Sequence, residues 1–454
     1  PARAGAGYRA AVTAPPPSEP DAPPGPPVPR RRRNPWWIPP FLGRVPDLDD
    51  RHLRVLGLVT LGLFFENFDL SLLGNALKHI AHGLAIGERE VAFYLAAVRV
   101  GGLVAFLLLP LADRLGRRRI YLVSLVGMSV CTLASAFAQT PVQFVACQMA
   151  ARVFIATLAA VGVVMLAEEL PAQHRGWGIG MLGALSAVGH GAGALLFALV
   201  DWLPGGWRAL YVAGAVPLLL LPFFRRAIQE TTRYAAHRAR DAAEPGGVRT
   251  LLRSLGRLAS SNPRRAALVG AAGLLQALGA ISVFQFAPLF VQTAHGWMPW
   301  HVAAMVVGAG AIGIVGNVVA GRLGDRIGRR IVGAAAFLLF PVAAIAFYSG
   351  PGWLLPSCFV AIVFASSAGD VIVRAFSTEL FPTSQRGASA GWLTLLQTIG
   401  WITGLVLVGA GTWIDVPLPR MVSSVAVGVA GAGLLLLLLP ETRARELEEL
   451  SAER

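Results

Sequence analysis

The sequence LADRLGRRR at residues 111–119 returns 212 positions later as LGDRIGRRI at residues 323–331. Both copies contain Asp-Arg, one variable residue and Gly-Arg-Arg, and both lie between long apolar stretches. EELPAQHRG at 168–176 matches ELFPTSQRG at 379–387 at a distance of 211 residues. Matches at one spacing indicate that the chain is an internal duplication.

Shorter matches occur at the same spacing of 211 residues. QETTR corresponds to PETR, so that Glu230 matches Glu441, and Gly189 and Gly193 match Gly400 and Gly404. Two parallel six-helix repeats are one of the known architectures of membrane transporters.

The composition predicts a protein that crosses a membrane many times. Of 454 residues, 55% are hydrophobic and only 14% are charged, with a mean hydropathy of +0.60. A soluble domain carries about a quarter charged residues. Because lipid offers no hydrogen-bond partners to the backbone, the apolar stretches must be helices. The predicted fold is all-α and polytopic, with twelve transmembrane helices in two six-helix pseudo-repeats. The predicted spans are 54–80, 90–111, 119–139, 142–167, 176–200, 207–224, 265–291, 299–321, 331–349, 353–378, 388–411 and 420–440.

The distribution of arginine predicts how the chain is oriented. The formal charge is +14, Lys78 is the only lysine, and the arginines concentrate in every second connection between spans. Positive residues favour the cytoplasmic side, so both termini and the central loop are predicted to lie in the cytoplasm, with the bundle in the cytoplasmic membrane. No basic face alternates with aromatic residues, so nucleic-acid binding is not predicted. The predicted parts are a disordered Pro/Arg-rich tail (1–49), a six-helix bundle (50–224), a cytoplasmic loop (225–264), a second bundle (265–440) and a cytoplasmic tail (441–454).

The repeated motifs resemble those of a known family. Asp-Arg-x-Gly-Arg-Arg between spans 2 and 3 and between spans 8 and 9 resembles the signature loop of the major facilitator superfamily. Glu-x-x-Pro-x-x-x-Arg-Gly and the ending PETRARELEEL at 440–450 resemble the sugar-porter and metabolite–proton symporter branches. The first loop departs from the pattern, with Leu109 where glycine is usual. Span 5 also lacks the Gly-Pro pair of many drug–proton antiporters.

The resemblance implies a role for the repeated charges at the cytoplasmic helix ends. In the family, such acids and arginines clamp helices together when the inner gate is shut, and pairs that form in one state bias a two-state element. Anchoring by positive charge with incidental pairing is the alternative. The predicted gate network consists of Asp113, Arg117, Glu168, Arg175, Glu230, Arg233, Asp325, Arg329, Glu379, Arg386, Glu441 and Arg443.

A second set of charges lies inside the spans and does not repeat. The positions 211 residues after Glu66 and Asp69 are Ala277 and Ala280. Charge at membrane depth is costly and usually marks a transport pathway. Two nearby carboxylates do not both ionise readily, so one is expected to hold a proton. The predicted site for proton coupling and solute binding consists of Glu66, Asp69, Arg99, Arg152 and His190. A static ion pair that joins helices is the alternative.

Uncharged polar residues add candidates for the wall of a cavity. They are Asn67, Asn75, Gln276, Gln285, Gln397 and Trp401. Hydrogen bonding or packing between helices is their alternative role. Asp370 and Arg374, four residues apart in span 10, are interpreted as a local ion pair rather than a solute contact.

The leading functional hypothesis is proton-coupled symport of a small organic solute, such as an organic acid, a sugar-like compound or a related metabolite, by alternating access. A drug or metabolite efflux antiporter of the same fold is the second hypothesis, and a non-transporting membrane sensor is the third. No nucleotide-binding loop or nucleophile motif is found, so the sequence predicts no enzyme and no cofactor. The three cysteines lie in apolar segments, and no metal-ligand spacing occurs. The predicted partners are the solute, protons and the lipid bilayer, with the protein as a monomer.

Overall fold

A computed structural model describes residues 45–46, 48–228 and 248–443 of the chain. The chain divides into two compact units, Pro1–Asp47 and Leu48–Arg454, and every helix given below lies in the second. Of the predictions, most of the tail 1–49, the gate residues Glu230 and Arg233, and residues 444–454 of the second tail lie outside the described residues.

The first half of the bundle contains nine described helices that form six spans. They are α1 (Asp50–Asn75), α2 (Leu77–Gly83), α3 (Glu88–Leu115), α4 (Arg117–Ala136), α5 (Pro141–Glu169), α6 (Arg175–Phe197), α7 (Trp207–Gly214), α8 (Val216–Leu219) and α9 (Leu221–Ala227). A further helix, α10 (Val248–Ser261), lies within the predicted central loop. The second half contains α11 (Pro263–Ala294), α12 (Pro299–Ile327), α13 (Arg329–Ser349), α14 (Leu355–Glu379), α15 (Arg386–Trp413) and α16 (Leu418–Leu437).

These helices confirm the predicted twelve-helix fold. Among the described residues, eleven helices or helix series are long and apolar enough to cross a membrane. The remaining span, α12, includes the shorter apolar stretch Pro299–Gly313.

Two spans differ from the single helices that the sequence predicts. The sixth span is broken into α7, α8 and α9, and Pro217 and Pro222 stand in the first turns of the second and third pieces. Proline lacks the N–H group that a helix interior needs, which explains these breaks. The first span ends at Asn75, and the chain turns at Ala76 before α2 begins.

The two halves repeat the same packing scheme. In the first, α1 packs on α6, and α5 packs on both α3 and α4; in the second, α11 packs on α15, and α14 packs on both α12 and α13. The halves meet along two helix pairs, α3 with α15 and α6 with α12.

The repeated glycines permit the closest of these contacts. A Cβ atom on Gly189 would lie 2.0 Å from the carbonyl oxygen of Phe64, and one on Gly400 would lie 2.4 Å from that of Leu274. Small residues allow helix backbones to approach closely within a membrane. The glycines therefore set the distance of α6 from α1 and of α15 from α11.

The signature loops use glycine for a different reason. Gly116 and Gly328 each separate two spans with positive φ values of 99° and 123°, which side chains other than glycine rarely adopt. At the second loop, Glu441 accepts hydrogen bonds from the backbone N–H groups of Arg329 (2.9 Å) and Arg330 (3.2 Å) at the start of α13. The matched motifs PETR and Asp-Arg-x-Gly-Arg-Arg thus meet as one helix cap.

Candidate functional site

The two acids of α1 lie inside the first half. Asp69 is buried, with 3% of its surface exposed, and its Oδ1 accepts a hydrogen bond of 2.7 Å from the hydroxyl of Thr132 on α4. Glu66 is half-buried, one helical turn away. Residues three apart on a helix share a face, so the two carboxylates lie side by side.

Arg152 of α5 lies between these acids and the neighbouring helix α3. It interacts electrostatically with Glu66, Asp69 and Arg99. A Cβ atom on Gly101 would lie 3.0 Å from the Cβ of Arg152, so this glycine makes room for the arginine. Arg152 is 8% exposed, and its Nε is buried without a hydrogen-bond partner among the described residues. Buried donors normally have partners, so an unpaired one is suited to receive a ligand.

Arg99 of α3 joins the two halves at the middle of the bundle. Its Nη2 donates a hydrogen bond of 3.2 Å to Oε1 of Gln285 on α11, and its guanidinium lies 5.7 Å from the ring centre of Trp401 on α15. Gln285 is 5% exposed, and its Nε2 is a second buried donor without a partner in the described part of the chain. Three donors, from Arg99, Arg152 and Gln285, are therefore available to an acceptor group near the α1 acids.

His190 and Asn67 lie on the contact between α6 and α1. The ring of His190 interacts with the backbone of Asn67, and the His190 carbonyl accepts a hydrogen bond of 2.7 Å from Ser71. Asn67 donates its own side-chain N–H to the carbonyl of Leu63 on the same helix, at 3.0 Å. His190 is exposed although it lies in the middle of α6, so its ring borders open space within the bundle.

The polar residues of the second half form a network of their own. Nε2 of Gln397 on α15 donates to Oε1 of Gln276 on α11 at 3.0 Å and lies 3.2 Å from Oδ1 of Asp370 on α14. Asp370 also accepts a hydrogen bond of 2.6 Å from Nε of Arg374. The predicted local pair of Asp370 and Arg374 is therefore linked through Gln397 to two other helices.

Asn75 occupies a different place from the other cavity candidates. It is 2% exposed, and its side chain donates to Ser71 within α1. The Asn75 carbonyl, freed by the turn at Ala76, accepts a hydrogen bond of 3.2 Å from Nε2 of Gln292 on α11. The structure thus places Asn75 in a contact between the halves.

The predicted gate residues form ion pairs at the arginine-rich end of the bundle, which we define by the connections 114–119, 173–176 and 325–330. Arg117 pairs with Glu168 at 3.1 Å. In the second half, Arg329 pairs with Asp325 at 3.3 Å and contacts Glu379. Each of these described pairs stays within one half.

Other members of the predicted gate network have different contacts. Arg175 donates to the carbonyl of Leu170 at 3.2 Å, and Nε of Arg386 is buried without a partner among the described residues. Arg443 contacts Glu441 through its backbone N–H at 3.2 Å. The side chain of Asp113 is outside the described part of the structure.

The opposite end, formed by the loops at 84–87 and 414–417, is closed by contacts between the halves. Lys78 donates to the carbonyl of Gln292 at 3.0 Å, beside the bond from Gln292 to Asn75. Arg89 forms an ion pair with Asp415. The described polar contacts between the halves therefore lie at this end and at the depth of Arg99, which is the arrangement of a transporter that faces its arginine-rich end.

Some of these partners were not found by reading the sequence. Thr132 is an ordinary residue of an apolar helix, and no sequence signal points to it. Asp370 did carry a signal, because Ala159 stands 211 residues before it. The comparison of repeats that selected Glu66 and Asp69 also selects Asp370.

Two homologous helical bundles that enclose buried charges at mid-depth, closed at one end, define a membrane transporter of the alternating-access class. The sequence profile of the Major Facilitator Superfamily matches residues 59–405 and 299–454. The chain belongs to this family, is an integral membrane protein and is a secondary transporter of small organic solutes, as the sequence predicts.

Curated relatives cover most of the chain. The gallate transporter of Pseudomonas putida is 25% identical over 427 residues, which cover 88% of this chain and 94% of that protein. The cis,cis-muconate transport protein of Acinetobacter baylyi is 27% identical over 347 residues, covering 73% and 80% of the two chains.

Solved structures have the same fold. A crystal structure of a D-xylose–proton symporter matches with a TM-score of 0.70 at 17% identity, covering 87% of this chain and 99% of that one. An inward-facing, occupied structure of a bacterial homologue of the lysosomal transporter Spinster matches with a TM-score of 0.69 at 15% identity, covering 86% and 97%.

Proposed function

We propose that this protein imports a small organic carboxylate together with protons. The observation that carries the proposal is the group of donors at mid-depth: Arg99 between the two halves, with the unpaired buried donors of Arg152 and Gln285. Arginine and amide donors suit a carboxylate, because guanidinium can bind it through paired hydrogen bonds. Relatives whose names give gallate and cis,cis-muconate as cargo support the same class of solute.

In this proposal, Glu66 and Asp69 carry the proton. Both acids interact with Arg152, whose charge favours their ionised forms. A bound solute carboxylate competes with the acids for the same arginine and leaves them with less compensating charge. Protonation of one acid then offsets this loss, so solute and proton bind together more favourably than either does alone. The D-xylose–proton symporter of similar fold is compatible with such coupling.

The solute also acts on the contact between the halves. Arg99 uses Nη2 to hold Gln285 of the second half. A carboxylate that binds this guanidinium replaces the bond to Gln285 and weakens one of the contacts that keep the opposite end closed. The differential affinity of the solute for the two states is what shifts their equilibrium.

The arginine-rich end is proposed to face the cytoplasm, since positive residues favour that side. The described state then opens inward, and Arg89, Asp415, Lys78 and Gln292 close the outer end. We place the protein in the cytoplasmic membrane, as a monomer that transports its solute and catalyses no chemical reaction.

Uptake by proteoliposomes with an imposed pH gradient tests the proposal. Benzoate and 4-hydroxybenzoate are the probes, and an inward proton gradient is expected to drive their accumulation. Arg99→Gln is expected to abolish it, because this variant removes the proposed anchor of the carboxylate. Accumulation driven by an outward proton gradient would instead establish the efflux antiporter, and flux that ignores the gradient would remove proton coupling.

A further inference from the structure

A continuous polar chain crosses the second half of the bundle. It runs from Gln276 on α11 through Gln397 on α15 to Asp370 on α14, and it ends at Arg374 one turn further along α14. The successive donor–acceptor distances are 3.0, 3.2 and 2.6 Å. Three helices are thus joined by one network, in which Asp370 is the only acid.

The exposed end of this chain faces water. Gln276 and Gln397 are 7% and 2% exposed, whereas the side chains of Asp370 and Arg374 are 33% and 57% exposed. At about 1.5 Å of rise per residue, Asp370 lies about 13 Å inside α14 from its end at Glu379. Exposed charges at such a depth face a water-filled space rather than lipid. The pair therefore lies on the wall of the open cavity between the halves.

Asp370 has acceptor capacity left. An ionised carboxylate offers about four acceptor sites on its two oxygens. Gln397 uses one on Oδ1 and Arg374 uses one on Oδ2. The carboxylate is held in position by these two neighbours while part of its surface remains open.

The separation from Arg99 suits a small ring compound. Trp401, which faces the Arg99 guanidinium, lies four residues beyond Gln397 on α15, a rise of about 6 Å. Asp370, on the other side of Gln397, is thus about one to two helical turns from Arg99 along the bundle. A single six-membered ring with polar groups at opposite positions, with a hydrogen bond of about 2.8 Å at each end, bridges such a distance.

We propose that Asp370 is a specificity-determining residue, which accepts a hydrogen bond from a hydroxyl or similar donor at the end of the solute opposite its carboxylate. Gln397 and Arg374 are positioning residues that fix the Asp370 oxygens. The inference rests on the proposed function, in which Arg99 binds the carboxylate. It narrows the solute class to carboxylates that carry a donor at the far end of a ring.

Calorimetric binding to the purified full chain tests this inference with two probes, benzoate and 4-hydroxybenzoate. The wild-type protein is expected to bind 4-hydroxybenzoate about tenfold more tightly, the effect of one hydrogen bond to a charged acceptor. Asp370→Ala is expected to reduce this ratio to about one with little change for benzoate. Asp370→Asn keeps an acceptor oxygen without the charge and is expected to give an intermediate ratio.

Three further variants separate direct recognition from a structural role. Gln397→Ala frees Asp370 and is expected to lower the ratio while leaving benzoate binding nearly unchanged. Arg99→Gln is expected to weaken both probes together. Ser357→Ala, on an exposed serine of the same helix that bonds only to a local carbonyl, is the matched control and should retain the wild-type ratio. Because each ratio compares two ligands on one preparation, partial unfolding of a variant does not change it.

The outcomes are distinct. A tenfold ratio that persists in Asp370→Ala overturns the inference and leaves the carboxylate proposal intact. Equal affinities of the wild-type protein for both probes have the same consequence. Failure of the wild-type protein to bind either probe removes the carboxylate assignment, and the inference is withdrawn with it.

Discussion

The two halves of the bundle share a scaffold and differ in their interior chemistry. Gly189 and Gly400 allow the same close helix contact in each half, and a glycine with positive φ ends each signature loop. Within that scaffold, the first half places Glu66 and Asp69 where the second half has Ala277 and Ala280.

The second half has polar chemistry of another kind. Its interior joins Gln276, Gln397 and Asp370 by hydrogen bonds, and Trp401 stands where the first half has His190. The difference shows that the duplicated glycines and loops maintain helix packing, whereas the residues that do not repeat are free to serve transport. In the proposed mechanism, the first half handles protons and the second half reads the solute.

The largest expected effect breaks this comparison at Asp69. Asp69→Asn removes one proton-carrying group, and pH-driven accumulation in proteoliposomes is expected to fall to the level of empty liposomes. Exchange of labelled for unlabelled solute should survive, because it needs no net proton movement. Asp201→Asn, an exposed acid of the same half that contacts His79, is the control and should accumulate solute normally. Full accumulation by Asp69→Asn would show that this acid has no part in coupling.

The next test asks whether the repeated scaffold is equally sensitive in both halves. Gly189→Ala and Gly400→Ala place a Cβ atom 2.0 and 2.4 Å from backbone oxygens. Each is expected to destabilise the protein by about 1–3 kcal/mol, the usual cost of overpacking. Gly183→Ala and Gly391→Ala add a methyl group where nothing lies within 4 Å, and they should leave the thermal midpoint in detergent nearly unchanged. A large loss in only one half would mean that the two contacts are not equivalent.

A smaller effect concerns the helix cap at the second signature loop. Partial burial opposes the ionisation of Glu441, but backbone N–H donors from Arg329, Arg330, Thr442 and Arg443 outweigh it and lower the pKa of this carboxyl. A lowered pKa means that the cap stabilises the fold above the ordinary value of 4.5 and that the gain is lost as the pH falls below it. Glu441→Gln is expected to cost about 1 kcal/mol or less at neutral pH, since the carboxylate is largely exposed.

Thermal unfolding at pH 7 and near pH 4 measures this cap, and the difference between wild type and Glu441→Gln should shrink at the lower pH. Glu230 is the matching residue of the first half. If the first signature loop is capped in the same way, Glu230→Gln will reproduce both the loss and its pH dependence. A pH-independent difference for Glu441→Gln would contradict the capping role.

The smallest expected effect is on the closure of the end opposite the arginines. Arg89 and Asp415 are exposed, with 54% and 75% of their side chains accessible, so their ion pair is worth about 0.2–1 kcal/mol. Arg89→Gln is expected to raise up to about fivefold the rate at which a thiol reagent labels a cysteine placed at the buried Leu77. The charge-exchanged double variant Arg89→Asp with Asp415→Arg should restore slow labelling. No change in any variant would mean that packing and the Lys78 contact close this end without the ion pair.

Much of the fold could be predicted because its signals are local or periodic. Span length, the repeated motifs and the arginine-rich connections lie in the sequence itself, and they led to twelve helices in two repeats. The interruptions of the first and sixth spans were missed. Pro217 and Pro222 were readable signals for the sixth, but no helix-breaking residue stands at Ala76.

The candidate site was predictable in part. Glu66, Asp69, Arg99 and Arg152 are conspicuous because charges are rare in membrane spans, and the structure brings them near one another. Their uncharged partners were not predictable: Thr132 holds Asp69, and Gln285 holds Arg99, through contacts between residues 63 and 186 positions apart. Asp370 was treated as a local pair because only its neighbour on the same helix can be seen in the sequence.

The sequence by itself determined the twelve spans, the duplication, the superfamily and the charges placed at membrane depth. These follow from hydrophobicity, motif spacing and the cost of burying charge, which are properties of the chain alone. The tertiary structure decided which end is closed, that Arg99 bridges the halves, and that Asp370 belongs to a network on the cavity wall. Such facts depend on how separate helices pack, and distance along the chain does not encode them.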